Sequence, residues 1–147
     1  MNSISTYMMR DHKACDEHFA QAEDAVAAGD WARVTSSFAA FVDALGRHFE
    51  LEEQILFPAF EDRTGMRAGP TQMMRTEHDD MRTMLADLQR AALVGEVEQY
   101  SGLAETLLLM LQQHNLKEEQ ILYPMMDQAL AAEQQVLLAR LEAWEAA

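Results

Sequence analysis

The sequence predicts an all-α protein, and three observations lead to that prediction. Ala, Leu, Met, Glu and Gln, which favour helices, dominate the 147 residues, whereas Val, Ile and Thr are sparse. Apolar residues recur at alternating intervals of four and three, which is the spacing of one helix face. A segment that begins at His48 recurs 66 positions later at His114, so the chain contains two copies of one helical unit.

Five helical segments are predicted in chain order. Their approximate bounds are 3–28, 31–63, 70–95, 97–130 and 133–145. Gly29 ends the first segment and Asp30 is the expected N-cap of the second, while a loop at 64–69 precedes Pro70, which suits a first helical turn. Pro58 lies inside the second segment and deletes one backbone hydrogen bond, so we expect a kink or local break at this proline.

Length and charge indicate one compact unit with few classes of partner. We expect a single domain over residues 1–147, with repeat halves at about 8–63 and 74–130 and a short C-terminal helix at about 133–145. The net charge of −14 disfavours nucleic acid and anionic membranes as partners. The sequence has no long apolar run and no leader, so a cytoplasmic protein is expected. Cys15 is the only cysteine, which excludes an internal disulfide.

Each copy of the repeated segment carries a His and a Glu four residues apart. These pairs are His48 with Glu52 and His114 with Glu118, and residues at this spacing share one face of a helix. The apolar positions on either side keep the same register, so each pair occupies core positions of its helix. No Lys or Arg lies on either stripe, and a buried unpaired carboxylate is costly. Inward-facing His and carboxylate groups are typical of a transition-metal site.

The 66-residue offset adds two further histidines to the predicted site. It relates His12 to His78, so each half is a helical hairpin with one His on its first helix and a His-x-x-x-Glu on its second. The candidate metal ligands are therefore His12, His48, Glu52, His78, His114 and Glu118. The alternative is a buried hydrogen-bonded network of the same six residues, which predicts a stable protein with no metal dependence.

The number of candidate ligands suits two metal ions. Two octahedral ions need about twelve ligand positions, to which two bridging carboxylates and four imidazoles contribute about four each. A bridging oxo or hydroxo group would fill one more position on each ion, which leaves open positions for a small ligand. That count suits a di-iron centre that binds a diatomic ligand or peroxide. Zinc prefers fewer ligands, while the residue types leave dinuclear manganese or a mixed pair open.

With these motifs the chain resembles the hemerythrin-like proteins of the His-His-Glu (HHE) cation-binding family, over roughly residues 8 to 130. The resemblance implies an antiparallel up-down-up-down four-helix bundle with a non-haem di-iron centre bridged by Glu52 and Glu118. It also implies that the four histidines named above supply the imidazoles. Oxygen-carrying hemerythrins have one more His on the third helix, at the position that Arg82 occupies in this chain. That departure speaks against reversible oxygen transport.

The expected role is to bind, sense or buffer oxygen, nitric oxide or peroxide. The alternatives are a di-iron redox enzyme acting on peroxide or nitric oxide, and a protein of iron–sulfur cluster repair or iron homeostasis. An enzyme would need an electron donor and a sensor would need a signalling partner, because the chain contains no flavin, haem or iron–sulfur motif. No catalytic residue is assigned.

Four further residues are candidates for an outer contact or an extra ligand at the site: Cys15, Asp16, His18 and Arg82. Cys15 and His18 are expected chiefly as a small buried hydrophobe and a flank residue. Asp16 and Arg82 are equivalent under the offset, and each is expected to orient a ligand, to control access from solvent, or to pair with the other.

Overall fold

The computed structural model describes residues 2–147, which form an all-helical fold without strands in that range. The predicted all-α class is confirmed. The α-helices are α1 (Ile4–Ala27), α2 (Trp31–Leu51), α3 (Phe57–Thr64), α4 (Pro70–Val94), α5 (Val97–Lys117), α6 (Tyr123–Ala129) and α7 (Gln134–Ala146). Two π-helical segments, Glu52–Leu56 and Glu118–Leu122, join α2 to α3 and α5 to α6, and a 3-10 turn, Ala131–Glu133, precedes α7. Within residues 2–147, no helix has the length and apolar character needed to cross a lipid bilayer.

The helix ends follow local signals in the sequence. Asp30 caps α2 and accepts a hydrogen bond from the Arg33 N–H at 3.2 Å. Pro70 is the first residue of α4, where its missing N–H has no intrahelical partner to lose. Gly65 and Gly95 end α3 and α4 in the left-handed conformation, with φ of 75° and 74°. These signals divide the chain where the predicted segments end.

Each copy of the repeated segment contains a wider, π-helical turn just before its proline. The Phe57 N–H bonds to the carbonyl of Glu52, five residues earlier, and the Tyr123 N–H bonds to the carbonyl of Glu118 in the same way. Pro58 has no N–H, and in a regular helix its ring would clash with the carbonyl four residues before it. The extra residue in the turn relieves that clash. The local break in the helix that was expected at Pro58 therefore begins earlier, at Glu52.

Buried apolar side chains form two clusters that lie at different levels along the helices. One cluster includes Phe19, Phe41, Met81 and Leu107, and the other includes Ile4, Phe57, Met126 and Leu141. Helices α1 and α2 pack on each other, as do α4 and α5, and α2 also packs on α4. On α1 and α4 a histidine, His12 or His78, lies between residues of one cluster and residues of the other. A polar layer therefore crosses the fold between two apolar regions.

The C-terminal helix α7 closes one end of the fold. Leu137, Leu138 and Leu141 are buried in the second apolar cluster, whereas Trp144 remains 40% exposed. The Tyr7 hydroxyl donates a hydrogen bond to Glu145 at 2.5 Å, which ties α7 to α1. The three buried leucines, rather than Trp144, therefore hold α7 against the rest of the fold.

Candidate metal centre

The six predicted ligand residues lie together in the polar layer, and all of them are buried. Their exposed fractions are 0% for Glu52, His78 and Glu118, 1% for His48 and His114, and 4% for His12. Their ligand atoms form two groups, each with all atoms within 4.8 Å of one another: Glu52, His78, His114 and Glu118, and His12, His48 and Glu118. Because Glu118 belongs to both groups, the arrangement could hold two neighbouring cations.

The two glutamates lie between imidazoles from different halves of the chain. Glu52 Oε1 is 3.1 Å from His78 Nε2 and 3.5 Å from His48 Nε2. Glu118 Oε1 is 3.1 Å from His12 Nε2 and 3.3 Å from His114 Nε2. Each carboxylate therefore lies close to one imidazole of the first half and one of the second half.

Every imidazole in the layer is oriented through its other nitrogen. The Nδ1 atoms contact carboxylate oxygens in four pairs: His12 with Glu119 at 2.6 Å, His48 with Asp11 at 2.7 Å, His78 with Glu53 at 2.6 Å, and His114 with Glu77 at 2.8 Å. An ionised carboxylate only accepts hydrogen bonds, so each Nδ1 carries the proton and donates. In the neutral form of each imidazole, the Nε2 lone pair then faces the centre, which is the arrangement of metal-bound histidines.

These four hydrogen bonds form two pairs, and the bonds of each pair are related by the 66-residue offset. Glu53 and Glu119 are equivalent, and so are Asp11 and Glu77. Glu53 and Glu119 directly follow Glu52 and Glu118. Asp11 and Glu77 directly precede His12 and His78. The sequence alone did not identify Asp11 and Glu77 as acceptors, because the carboxylate that an imidazole reaches depends on the neighbouring helix.

Five polar atoms in the layer are buried without a hydrogen-bond partner within residues 2–147. They are the Nε2 atoms of His48, His78 and His114, Oε1 of Glu52 and Oε2 of Glu118. Buried polar atoms nearly always have a partner. All five are of the atom types that bind transition metals, and they come from the residues that form the two groups. The residues present therefore fit a bound metal.

A family model for the hemerythrin HHE cation binding domain matches residues 3–126. The chain belongs to this family. The match covers all six residues of the layer, and together with their buried cluster it indicates a metal-binding protein. No significant match was found among curated proteins or among solved structures.

The charged groups in this HHE domain shift one another's pKa. Burial and the adjacent Glu118 carboxylate raise the pKa of Glu52. Burial would lower the pKa of His114, but the adjacent carboxylates of Glu118 and Glu52 outweigh burial and raise that pKa to about 9. Burial would raise the pKa of Glu118, but the adjacent Glu52, His114 and His12 side chains outweigh burial and lower that pKa well below its ordinary value. A cation between the two carboxylates would favour the ionised form of Glu52 as well.

Tyr123 reaches the centre of the layer, which the sequence did not reveal. Its hydroxyl donates to Glu52 Oε2 at 2.8 Å, and it lies 3.0 Å from Glu118 Oε1 and 3.2 Å from His12 Nε2. Burial and the two carboxylates raise the pKa of this phenol well above its ordinary value. The equivalent residue in the first half is Phe57, so the sequence marked the position only as a shared aromatic.

Arg82 acts on the layer through a glutamate. It donates to both oxygens of Glu53, at 2.8 and 2.9 Å, and its guanidinium lies 5.2 Å from the centre of the Phe49 ring. Burial would raise the pKa of Glu53, but hydrogen bonds from His78 and Arg82 outweigh burial and lower that pKa to about 2. The expected alternative of a pair between Asp16 and Arg82 does not form in residues 2–147.

The other three candidates lie outside both groups of ligand atoms. Cys15 is a free, buried thiol, and burial raises its pKa to about 11, so the thiol is protonated at neutral pH. His18 is half-buried, and its Nδ1 has no hydrogen-bond partner among the described residues. Asp16 is exposed on α1. Neither Cys15 nor His18 has a ligand atom in the two groups that the six residues form.

The two sides of the layer are packed differently. The Phe49 ring stacks on His78, with the ring centres 4.0 Å apart, and Arg82 covers Phe49 from outside. Under the offset, Asn115 replaces Phe49 and Asp16 replaces Arg82. Asp16, Asn115 and Glu119 instead line a cavity of about 240 Å³ between α1 and α5. A second cavity, of about 120 Å³ and lined by Glu77, His114 and Lys117, adjoins the other side of the layer, so the cavity beside Glu119 is the larger of these two.

Proposed function

We propose that this HHE domain holds a non-haem di-iron centre. The imidazoles of His12, His48, His78 and His114 would bind through Nε2, and the carboxylates of Glu52 and Glu118 would bridge the two ions together with an oxo or hydroxo group. The observation that carries the proposal is the set of buried nitrogen and oxygen atoms without hydrogen-bond partners. A mixed nitrogen and oxygen set without sulfur suits iron, while manganese and zinc fit less well.

The function that this centre supports best is binding, sensing or buffering of oxygen, nitric oxide or peroxide. Iron would supply the reversible or redox chemistry with such a ligand. The residues of the chain would supply orientation, through the four Nδ1 hydrogen bonds, and exclusion of bulk water, through the two apolar clusters. All six residues of the layer are at least nine-tenths buried, which favours a ligand of very few atoms.

A redox enzyme acting on peroxide or nitric oxide is the second candidate, and Tyr123 favours it. The phenol proton lies within hydrogen-bond distance of both carboxylates, so it could be passed to a ligand that is reduced at the centre. Such a reaction would also need electrons from a donor of another protein or a small reductant. The sensing role instead requires that the bound ligand leaves unchanged.

We also infer a finer architecture than the helical class. The two long hairpins are proposed to form an antiparallel up-down-up-down four-helix bundle within one domain over residues 1–147. Its halves, at about 8–63 and 74–130, are proposed to be an internal duplication related by a pseudo-twofold axis. The pairwise equivalence of the four hydrogen bonds to the imidazoles supports this symmetry.

Metal analysis of protein purified without air tests the proposal directly. We expect about two irons per chain, with near-ultraviolet and visible bands that appear on adding oxygen or nitric oxide. Bands that disappear when the gas is removed would support binding or sensing, whereas lasting oxidation with consumption of peroxide or nitric oxide would support the enzyme. A fully stable protein that takes up no metal would refute the di-iron proposal and leave a buried polar network.

A further inference from the structure

The carboxylates that orient His78 and His114 are each shared with a cationic side chain. Arg82 donates to both oxygens of Glu53, at 2.8 and 2.9 Å, while Glu53 also accepts from His78. Lys117 donates to Glu77 at 2.5 Å, while Glu77 also accepts from His114. The negative charge behind each of these two imidazoles is therefore neutralised by a direct contact.

The carboxylates that orient His12 and His48 have no such partner. Within residues 2–147, Glu119 and Asp11 form ion pairs only with these two imidazoles. The residue equivalent to Arg82 is Asp16, which lines the same cavity as Glu119 and adds a negative charge there. The residue equivalent to Lys117 is Leu51, which is apolar and buried. The six candidate ligands are equivalent in pairs under the 66-residue offset, but the charged side chains behind the imidazoles are not.

This difference changes how strongly each imidazole pair can bind a cation. A carboxylate that accepts the Nδ1 proton makes the imidazole a better electron donor at Nε2. When the same carboxylate is shared with Arg or Lys, it accepts that proton less strongly and its own field at the centre is cancelled. Arg82 and Lys117 are 39% and 43% exposed, so salt screens their charges in part and the effect is largest at low ionic strength. Arg82 also contacts Asp79, but that side chain is 79% exposed and its effect is screened by solvent.

We propose that the two cation positions are inequivalent, that the position of His12 and His48 binds its cation first and more tightly, and that Arg82 and Lys117 weaken the position of His78 and His114. The inference rests on the proposed dinuclear centre. Arg82 and Lys117 are positioning residues in this proposal, because they act through Glu53 and Glu77 and do not contact the cation. Filling the centre is therefore stepwise and ordered.

Titration of metal-free protein with Co²⁺, in the absence of air and at low salt, tests the order of filling. Calorimetry and the visible absorption of Co²⁺ report each binding step. We expect two steps that differ in affinity by about tenfold or more. The variants Arg82→Met and Lys117→Met keep the apolar stem and remove the charge. Each is expected to strengthen the weaker step about threefold or more and to leave the tighter step unchanged.

Arg75 offers a matched control for Arg82. Its guanidinium lies 5.3 Å from the Phe57 ring centre and it pairs with Glu61, as Arg82 pairs with Glu53 over Phe49. Glu61, however, accepts from Thr71 rather than from an imidazole of the layer. Arg75→Met should therefore leave both steps unchanged. An equal effect of Arg75→Met and Arg82→Met would overturn the inference, since it would mean that any loss of positive charge strengthens binding.

Replacing single histidines shows which cation position each Co²⁺ binding step fills. We expect His78→Ala to retain the tight step and His12→Ala to retain only the weak one; the reverse result overturns the inference. Two steps of equal affinity in the unaltered protein, or no response to Arg82→Met and Lys117→Met, also overturn it while leaving the dinuclear centre intact. Binding of fewer than two Co²⁺ by the unaltered protein would refute the dinuclear centre itself. If the imidazole variants do not fold, the effect of Arg82→Met and Lys117→Met on the weaker step still tests the inference.

Discussion

Replacement of Tyr123 by Phe removes one hydroxyl from the centre of the polar layer while keeping the ring. Phe57 occupies the equivalent position in the first half, so a phenylalanine is compatible with this packing. The hydroxyl donates to Glu52 Oε2 at 2.8 Å and lies 3.0 Å from Glu118 Oε1. A hydrogen bond to a charged group contributes about 1.5–3 kcal/mol, and its loss leaves a buried Glu52 oxygen without a donor. We therefore expect Tyr123→Phe to lower the free energy of unfolding by about 2–3 kcal/mol in metal-free protein.

Tyr100 provides the control for this change. It is also fully buried, but its hydroxyl has no hydrogen-bond partner within residues 2–147. Tyr100→Phe should therefore change the free energy of unfolding by less than about 0.5 kcal/mol, or stabilise the protein. Urea unfolding at neutral pH with a chelator present, followed by helical circular dichroism, measures both values. Equal losses for the two variants, or no loss for Tyr123→Phe, would refute the assignment of the Tyr123 hydroxyl to the carboxylates.

Three further predictions concern the metal content and the thiol. Glu52→Ala should remove about half of the bound iron or more and lower the melting temperature of the loaded protein, because metal binding and folding are linked; unchanged iron by elemental analysis would contradict the bridging role. His18→Ala should leave about two irons bound, since this residue lies outside both groups of ligand atoms, and a loss of one ion in the same analysis would make it a ligand. Cys15, with its pKa raised to about 11 by burial, should remain protonated and react slowly with a coloured disulfide reagent at pH 8, but quickly in urea; fast reaction in the native protein would contradict the burial of this thiol.

Much of the layer could be predicted because it depends on helix periodicity alone. Residues four apart share a helix face whatever the helix packs against, so His48 and Glu52 had to point with Phe41 and Leu45 into the core. The 66-residue offset then carried that conclusion to His114 and Glu118, and it related His12 to His78. The family match supports the same residues as a cation-binding set, while their role as ligands of iron remains a prediction.

Which imidazole each carboxylate contacts could not be predicted, because these contacts join residues that are far apart in the chain. His12 donates to Glu119, 107 positions away, and which carboxylate an imidazole reaches depends on the rotation and offset of two packed helices. The same dependence places Arg82 on Glu53 rather than on Asp16. Sequence periodicity determined which side chains face inward, because that follows from the geometry of a single helix. Only the tertiary structure decided which side chains contact one another, because those contacts depend on how the helices pack. Examples are the contact of the Tyr123 hydroxyl with the two glutamates, and the placing of Arg82 and Lys117 behind one imidazole pair but not the other.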